Sequence, residues 1–181
     1  MENPGYIQQD MQMTNWLKIQ IYQNINVLLK FLESNSDIEN SCEIIMNSLP
    51  VCKVRGISYS TFSAIDCFEN GKAKIVEEGN PDFIWIRNGE VLKPEYQIIE
   101  SKDFKNRKMR VYNIQLEKFD RIIFCSDGAT QVAMGTKAFP LGLERSGLIK
   151  IILNKLEQDP EISSKDLSEY LVKQVEMIAP N

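Results

Sequence analysis

Two Asn-Gly pairs, Asn70-Gly71 and Asn88-Gly89, fall within twenty residues of each other, each flanked by runs rich in β-branched and aromatic residues. Asn-Gly readily adopts the positive φ angles of a tight hairpin turn, so a chain punctuated in this way folds back on itself as antiparallel strands. The first pair separates residues 57–68 from 72–78 and predicts a type I′ turn between them. Gly79-Asn80-Pro81 then breaks the chain. Phe83 to Arg87 returns against Glu90 to Leu92 across the second pair. Two more strands are predicted near 108–114 and 121–125, joined by Glu117-Lys118-Phe119-Asp120.

Helical periodicity brackets this β region. Leu17, Ile21, Ile25, Leu28 and Leu32 recur at three- and four-residue steps and predict a long helix over 14–33, ended by Ser34-Asn35-Ser36. Ser36 and Glu39 have capping-box spacing, and Asp37 adds favourable charge to the first turn of a second helix. Its apolar face is Ile38, Cys42, Ile45, Met46 and Leu49, and Pro50 stops it. Leu143, Leu148, Ile151, Ile152 and Leu156 predict a further helix with Gly147 as a weak point. Ser163 and Asp166 cap another, which buries Leu167, Leu171, Val175 and Ile178. The order is two helices, five or six antiparallel strands, then two helices. Such segregated blocks predict an α+β domain with helices packed on sheet faces.

A length of 181 residues fits one domain, and 43% hydrophobic with 25% charged residues is globular composition. No apolar run approaches the roughly 18 residues of a membrane span. The opening MENPGYIQQD has no basic region of the secretory type. A net charge of −4 argues against nucleic acid as a partner. The local exception is the cluster Lys102, Lys105, Arg107, Lys108 and Arg110. It reads as a solvated loop or edge strand, or else as a phosphate-attracting patch. Cys42, Cys52, Cys67 and Cys125 lack CxxC spacing and read as reduced core cysteines of a cytoplasmic protein. The chain has no histidine. That excludes Ser-His-Asp and Cys-His catalysis and histidine-based zinc sites, and leaves carboxylates, backbone groups, lysine and arginine.

Among carboxylates, Asp127 is placed best for chemistry. The strand Arg121-Ile122-Ile123-Phe124-Cys125 runs into Ser126-Asp127-Gly128. A carboxylate at a strand end is rigidly held, and glycine beside it admits close approach of backbone or ligand. Mg2+ and Mn2+ take oxygen ligands of this kind. The structural alternative is a turn in which Asp127 bonds its own backbone. Thr130 and Gln131 read as a cap or as phosphate contacts. Trp85 reads as a sheet residue with its indole near the rim. Ser60, Thr61 and Ser63 line a sheet, since no base accompanies them.

The run FCSDGAT resembles the late strand-Asp-Gly motif of the metal-dependent protein phosphatases (PPM-type, or protein phosphatase 2C), and in particular their stage II sporulation protein E branch. The segment NSLPVCKVRGISYSTFSAIDCFENGKAKIVEEGNPDFIWIRNGEV is similar to that branch's helix end, paired strands and Asn-Pro bend. LGLERSGLIKIILNKL and SSKDLSEYLVKQ are similar to its late helices. The resemblance covers about residues 38–178. It implies an α-β-β-α sandwich of antiparallel sheets flanked by helices. It also implies a serine/threonine phosphatase in which metal-bound hydroxide attacks a phosphorylated regulatory protein, with Asp127 as a ligand to Mn2+ or Mg2+. The family's Asp-Gly-x-Gly motif has no counterpart in residues 1–16, whose acids are Glu2 and Asp10, and its terminal Asp-Asp is absent. The chain is therefore expected to be a partial phosphatase domain over 17–181, incomplete at both ends, after a variable segment 1–16. The expected partners are a phosphoprotein substrate or a regulatory protein, with no nucleic acid, no membrane and homo-oligomers through exposed sheet edges. One alternative is a non-catalytic phosphatase-like domain that binds a protein. Another is an unrelated α+β binding module with an Asp-Gly turn.

Overall fold

The computed structural model describes residues 37–48, 61–102 and 107–179. The predicted helix over 14–33, residues 57–60 of the first predicted strand, Cys52 and Lys105 lie outside these residues. The described residues hold seven strands: β1 (Phe62–Cys67), β2 (Lys72–Glu78), β3 (Ile84–Arg87), β4 (Glu90–Leu92), β5 (Gln97–Glu100), β6 (Lys108–Gln115) and β7 (Arg121–Ile123). They also hold α1 (Ile38–Ser48), the short turn α2 (Asp127–Thr130), α3 (Glu144–Gln158) and α4 (Ser164–Ile178). The architecture is α+β, with two antiparallel sheets and helices packed on them. No helix among the described residues is long and apolar enough to cross a membrane.

The chain divides into two compact units. The first contains α1 and a sheet of order β1-β2-β6-β5. Ile38, Cys42 and Met46 of α1, spaced four apart, pack on Val76 of β2 and on Met109 and Val111 of β6. Burial pushes the Cys42 thiol up to about 12, and the negative charge of Asp37 adds to the effect. The core-cysteine expectation holds for Cys42, but Cys67 is exposed and Cys125 is half-buried. Both stand at positions where a strand gives way to a turn or loop.

The first Asn-Gly turn differs from the predicted type I′. Only Gly71 has positive φ, at 78°, while Asn70 stays on the negative side. Gly71 N–H donates to the Phe68 carbonyl at 2.9 Å, and Lys72 N–H donates to the Asn70 side chain at 3.0 Å. A longer loop closed by a left-handed glycine is the other common way to join two twisted strands.

The basic cluster is also corrected. β6 lies inside its sheet, between β2 and β5, and is not an edge. Arg107 is buried and donates twice to Glu78, at 2.6 and 2.8 Å. Arg110 lies 3.5 Å from Glu77, while exposed Lys102 reaches Glu43 at 3.3 Å. Adjacent residues of a strand point to opposite faces, so Glu77 and Glu78 send charge into both sides of the sheet, and each meets a guanidinium. β5 escaped sequence reading because Gln97, Ile98 and Glu100 are exposed, so it shows no apolar alternation. Pairing to β6, with Ile99 opposite Met109, holds it.

The second unit contains β4-β3-β7 and the helices α2, α3 and α4. The second Asn-Gly pair forms the expected hairpin, with φ of 50° at Asn88 and 80° at Gly89, and sets Trp85 opposite Leu92. Ile84 and Ile86 of β3 pack with Leu148 and Ile152 of α3, and Leu171 and Ile178 of α4 join them. α4 is capped as predicted, since Asp166 N–H donates to the Ser163 hydroxyl at 3.0 Å.

Replacing Glu78 by Gln removes the carboxylate charge that meets the buried Arg107 guanidinium. We expect a loss of about 3 kcal/mol in urea unfolding. A loss under a tenth of that would show the pair to be dispensable.

Candidate functional site

Asp127 opens α2 directly after the loop that follows β7, with its side chain exposed. Its carbonyl, not its carboxylate, closes the turn. The Gln131 N–H donates to that carbonyl at 2.7 Å and the Thr130 hydroxyl at 3.0 Å. Thr130 thus takes the capping role rather than a free phosphate-facing one. Gly128 has ordinary helical backbone, and an added Cβ would meet only the Ser126 hydroxyl, at 3.5 Å. The tight approach lies further on. Gly142, at φ +88°, lies so close to the Thr130 carbonyl that a Cβ would come within 2.7 Å of it. That contact seats the loop ahead of α3 on the α2 turn.

A two-metal hydrolase needs several carboxylates converging on both ions. Among the described residues, no group of three or more Asp, Glu, Cys or His side chains could hold a metal ion. The stretches outside them add Glu2, Asp10, Glu33 and Asp103 as acids. Seven of the described acids pair instead with bases: Asp37 and Glu39 with Lys74, Glu43 with Lys102, Glu77 with Arg110, Glu78 with Arg107, and Glu117 and Asp120 with Arg87. The described donor set does not fit a two-metal centre.

The second unit also has a concave feature, which reaches the loop before Asp127 through Cys125 and Ser126. A groove of about 1150 Å³ runs along β7 between the Phe119 turn and the helices α3 and α4. Its shape depends on Asp120, whose side chain is 3% exposed. Arg87 grips that carboxylate bidentately, with Nε at 2.9 Å and Nη2 at 2.7 Å. The Trp85 indole donates to it at 3.0 Å and the Glu117 N–H at 2.9 Å. Trp85 is therefore a buried sheet residue with its N–H satisfied, as its sequence position suggests. The Arg87 hydrogen bonds, helped by the Glu117 N–H and the Trp85 indole, hold the Asp120 carboxyl below its ordinary range. In the turn so fixed, Phe119 adopts φ of 73° and stands 73% exposed at the groove mouth. A bulky side chain at positive φ is strained. Sequence reading treated Glu117 to Asp120 as a bare connection. The available signal was an aromatic set between acids in a four-residue link.

No protein-family model and no curated protein matches the chain. Solved structures do. The phosphatase domain of the cell fate determinant SpoIIE from Bacillus subtilis, in a crystal form without domain swapping, superposes with a TM-score of 0.55 at 20% identity. That match covers 87% of this chain and 65% of the other. Two further structures of the same domain, one presoaked with Mn, match with TM-scores of 0.50 at 19 and 20% identity. The chain has the fold of a SpoIIE-type phosphatase domain. It spans 64–65% of the length of the SpoIIE domains it matches.

The lowered Asp120 pKa makes stability pH-dependent. Its contribution is complete above the ordinary value of 3.8 and is lost as pH falls through the lower folded value. Asp120→Ala is expected to cost about 2 kcal/mol near neutral pH. The gap to the parent chain should close on acidification below 3.8; a gap that stays constant contradicts the assignment. Exposed Asp127→Ala should change stability by no more than about 0.5 kcal/mol in the same measurement.

Proposed function

We propose that this chain is a non-catalytic domain of phosphatase fold that binds a protein partner. The observation that carries this reading is the pairing of seven of its described acids, among them every acid buried in the sheets, with lysines and arginines. Asp127 has no convergent carboxylates around it among the described residues. A single carboxylate holds Mg2+ weakly, because that ion gives up its waters reluctantly, and it cannot fix a second ion about 4 Å away. The partner belongs to the cytoplasm in this reading, and the groove along β7 supplies a surface for it.

The second reading is a Mn2+- or Mg2+-dependent serine/threonine phosphatase acting on a phosphorylated regulatory protein. It is favoured by the exposed side chain of Asp127 beyond a strand end, in a fold shared with SpoIIE phosphatase domains. In that reading Asp127 is a metal ligand.

One experiment separates the two. The chain and its Asp127→Ala variant are melted with and without millimolar Mn2+, and phosphate release from a phosphoserine peptide is followed under the same conditions. We expect no metal-dependent rise in melting temperature and no release above the buffer rate. A rise or a release that disappears in Asp127→Ala would overturn the binding reading in favour of the enzyme.

A further inference from the structure

We infer that the groove beside β7 takes up an extended polypeptide segment, added as a strand on β7, whose apolar residues are flanked by lysines or arginines. This rests on the reading of the chain as a binding domain and names the chemistry of its partner.

Three observations converge on it. First, β7 stands at the end of its sheet among the described residues. Among the described residues its one strand neighbour is β3, through the pairs Ile84 with Ile123 and Ile86 with Arg121. The other side of an edge strand presents N–H and C=O groups that an extended chain can pair with. Second, the groove along that edge is apolar and open. Leu153, Leu156, Leu171 and Val175 line it, and Phe119, Phe124 and Val172 are exposed along it, Val172 by 54%. Alternate side chains of an added strand would enter it. Phe119, held in a strained backbone by the Asp120 turn, is a fixed aromatic contact at its mouth.

Third, the lining charges select the partner's sign. Glu157, Glu161 and Glu176 line the groove. Asp120 is neutralised by Arg87, and Arg121 is committed to the carbonyls of Pro160 and Ile162 at 3.0 and 2.8 Å. The remaining acids favour a segment with basic flanks, and facing like charges would disfavour an acidic one.

The test uses fluorescent peptides with a core of about six alternating valines and threonines, the length of a common strand. One carries lysines at both ends, one carries glutamates, and one has lysines and an N-methylated backbone. Binding to the full chain is read by anisotropy. We expect the lysine-flanked peptide to bind and to weaken with added salt, and the glutamate peptide to bind roughly tenfold less tightly. The N-methylated peptide should fail to bind, because it cannot form the ladder.

Two variants guard against misfolding. Phe119→Gly removes an aromatic from a positive-φ site, so its melting temperature should hold or rise while binding weakens severalfold. Val172→Asp should abolish binding with an unchanged circular dichroism spectrum. Any of four results overturns the proposal: no binding of the lysine peptide, equal binding of the glutamate peptide, equal binding of the N-methylated peptide, or unchanged affinity in both variants. A concentration-dependent dimer that Val172→Asp dissolves would also overturn it, by giving the groove to a second copy. These failures leave the non-catalytic reading standing. Asp127-dependent phosphate release removes that reading whatever the peptides do.

Discussion

The carboxylate of Asp120 organises the second unit. It accepts four hydrogen bonds, from Arg87 twice, from the Trp85 indole and from the Glu117 N–H, all between 2.7 and 3.0 Å. The Arg87 guanidinium also lies over the Trp85 ring and reaches the Gln115 carbonyl at 2.8 Å. One buried acid therefore ties the middle strand of the sheet to the turn that launches β7. Charge-assisted bidentate bonds are directional as well as strong, so they fix the angle at which the turn leaves the sheet. The position of the β7 edge and the strained outward pose of Phe119 both follow from it.

The same economy of charge runs through the first unit. Glu77 and Glu78 enter opposite faces of one sheet and are met by Arg110 and Arg107, while Lys74 gathers Asp37 and Glu39 at the start of α1. A fold built in this way commits these carboxylates to structure. Metal hydrolysis asks the reverse, carboxylates gathered around a cation and kept apart from lysine and arginine. The likeness to SpoIIE phosphatase domains therefore concerns how the chain folds, while the chemistry its carboxylates can support is set by their partners.

Much of the fold was legible in the sequence, because it rests on local signals. Asn88-Gly89 fixes a hairpin through backbone conformation alone, and Ser163 with Asp166 fixes a helix start through one hydrogen bond. β5 was illegible because its exposed side chains carry no periodicity and its position comes from the neighbouring strand. The burial of Arg107 was illegible for a related reason: its partner Glu78 lies far off in sequence, and only the sheet brings them together. At the site, the Asp-Gly pair marked a true strand-to-helix turn, but which acids gather around a carboxylate is a property of the packed chain. The groove was legible least of all, since an edge, an acidic rim and an exposed phenylalanine come from four separate elements.

The most direct test of the groove as a binding surface is amide hydrogen exchange, read by mass spectrometry with and without the lysine-flanked strand peptide. An added strand would cover amides on the open side of β7 and slow exchange over Arg121 to Phe124, while β6, already between two strands, would change little. Unchanged exchange across β7 under saturating peptide would contradict the account.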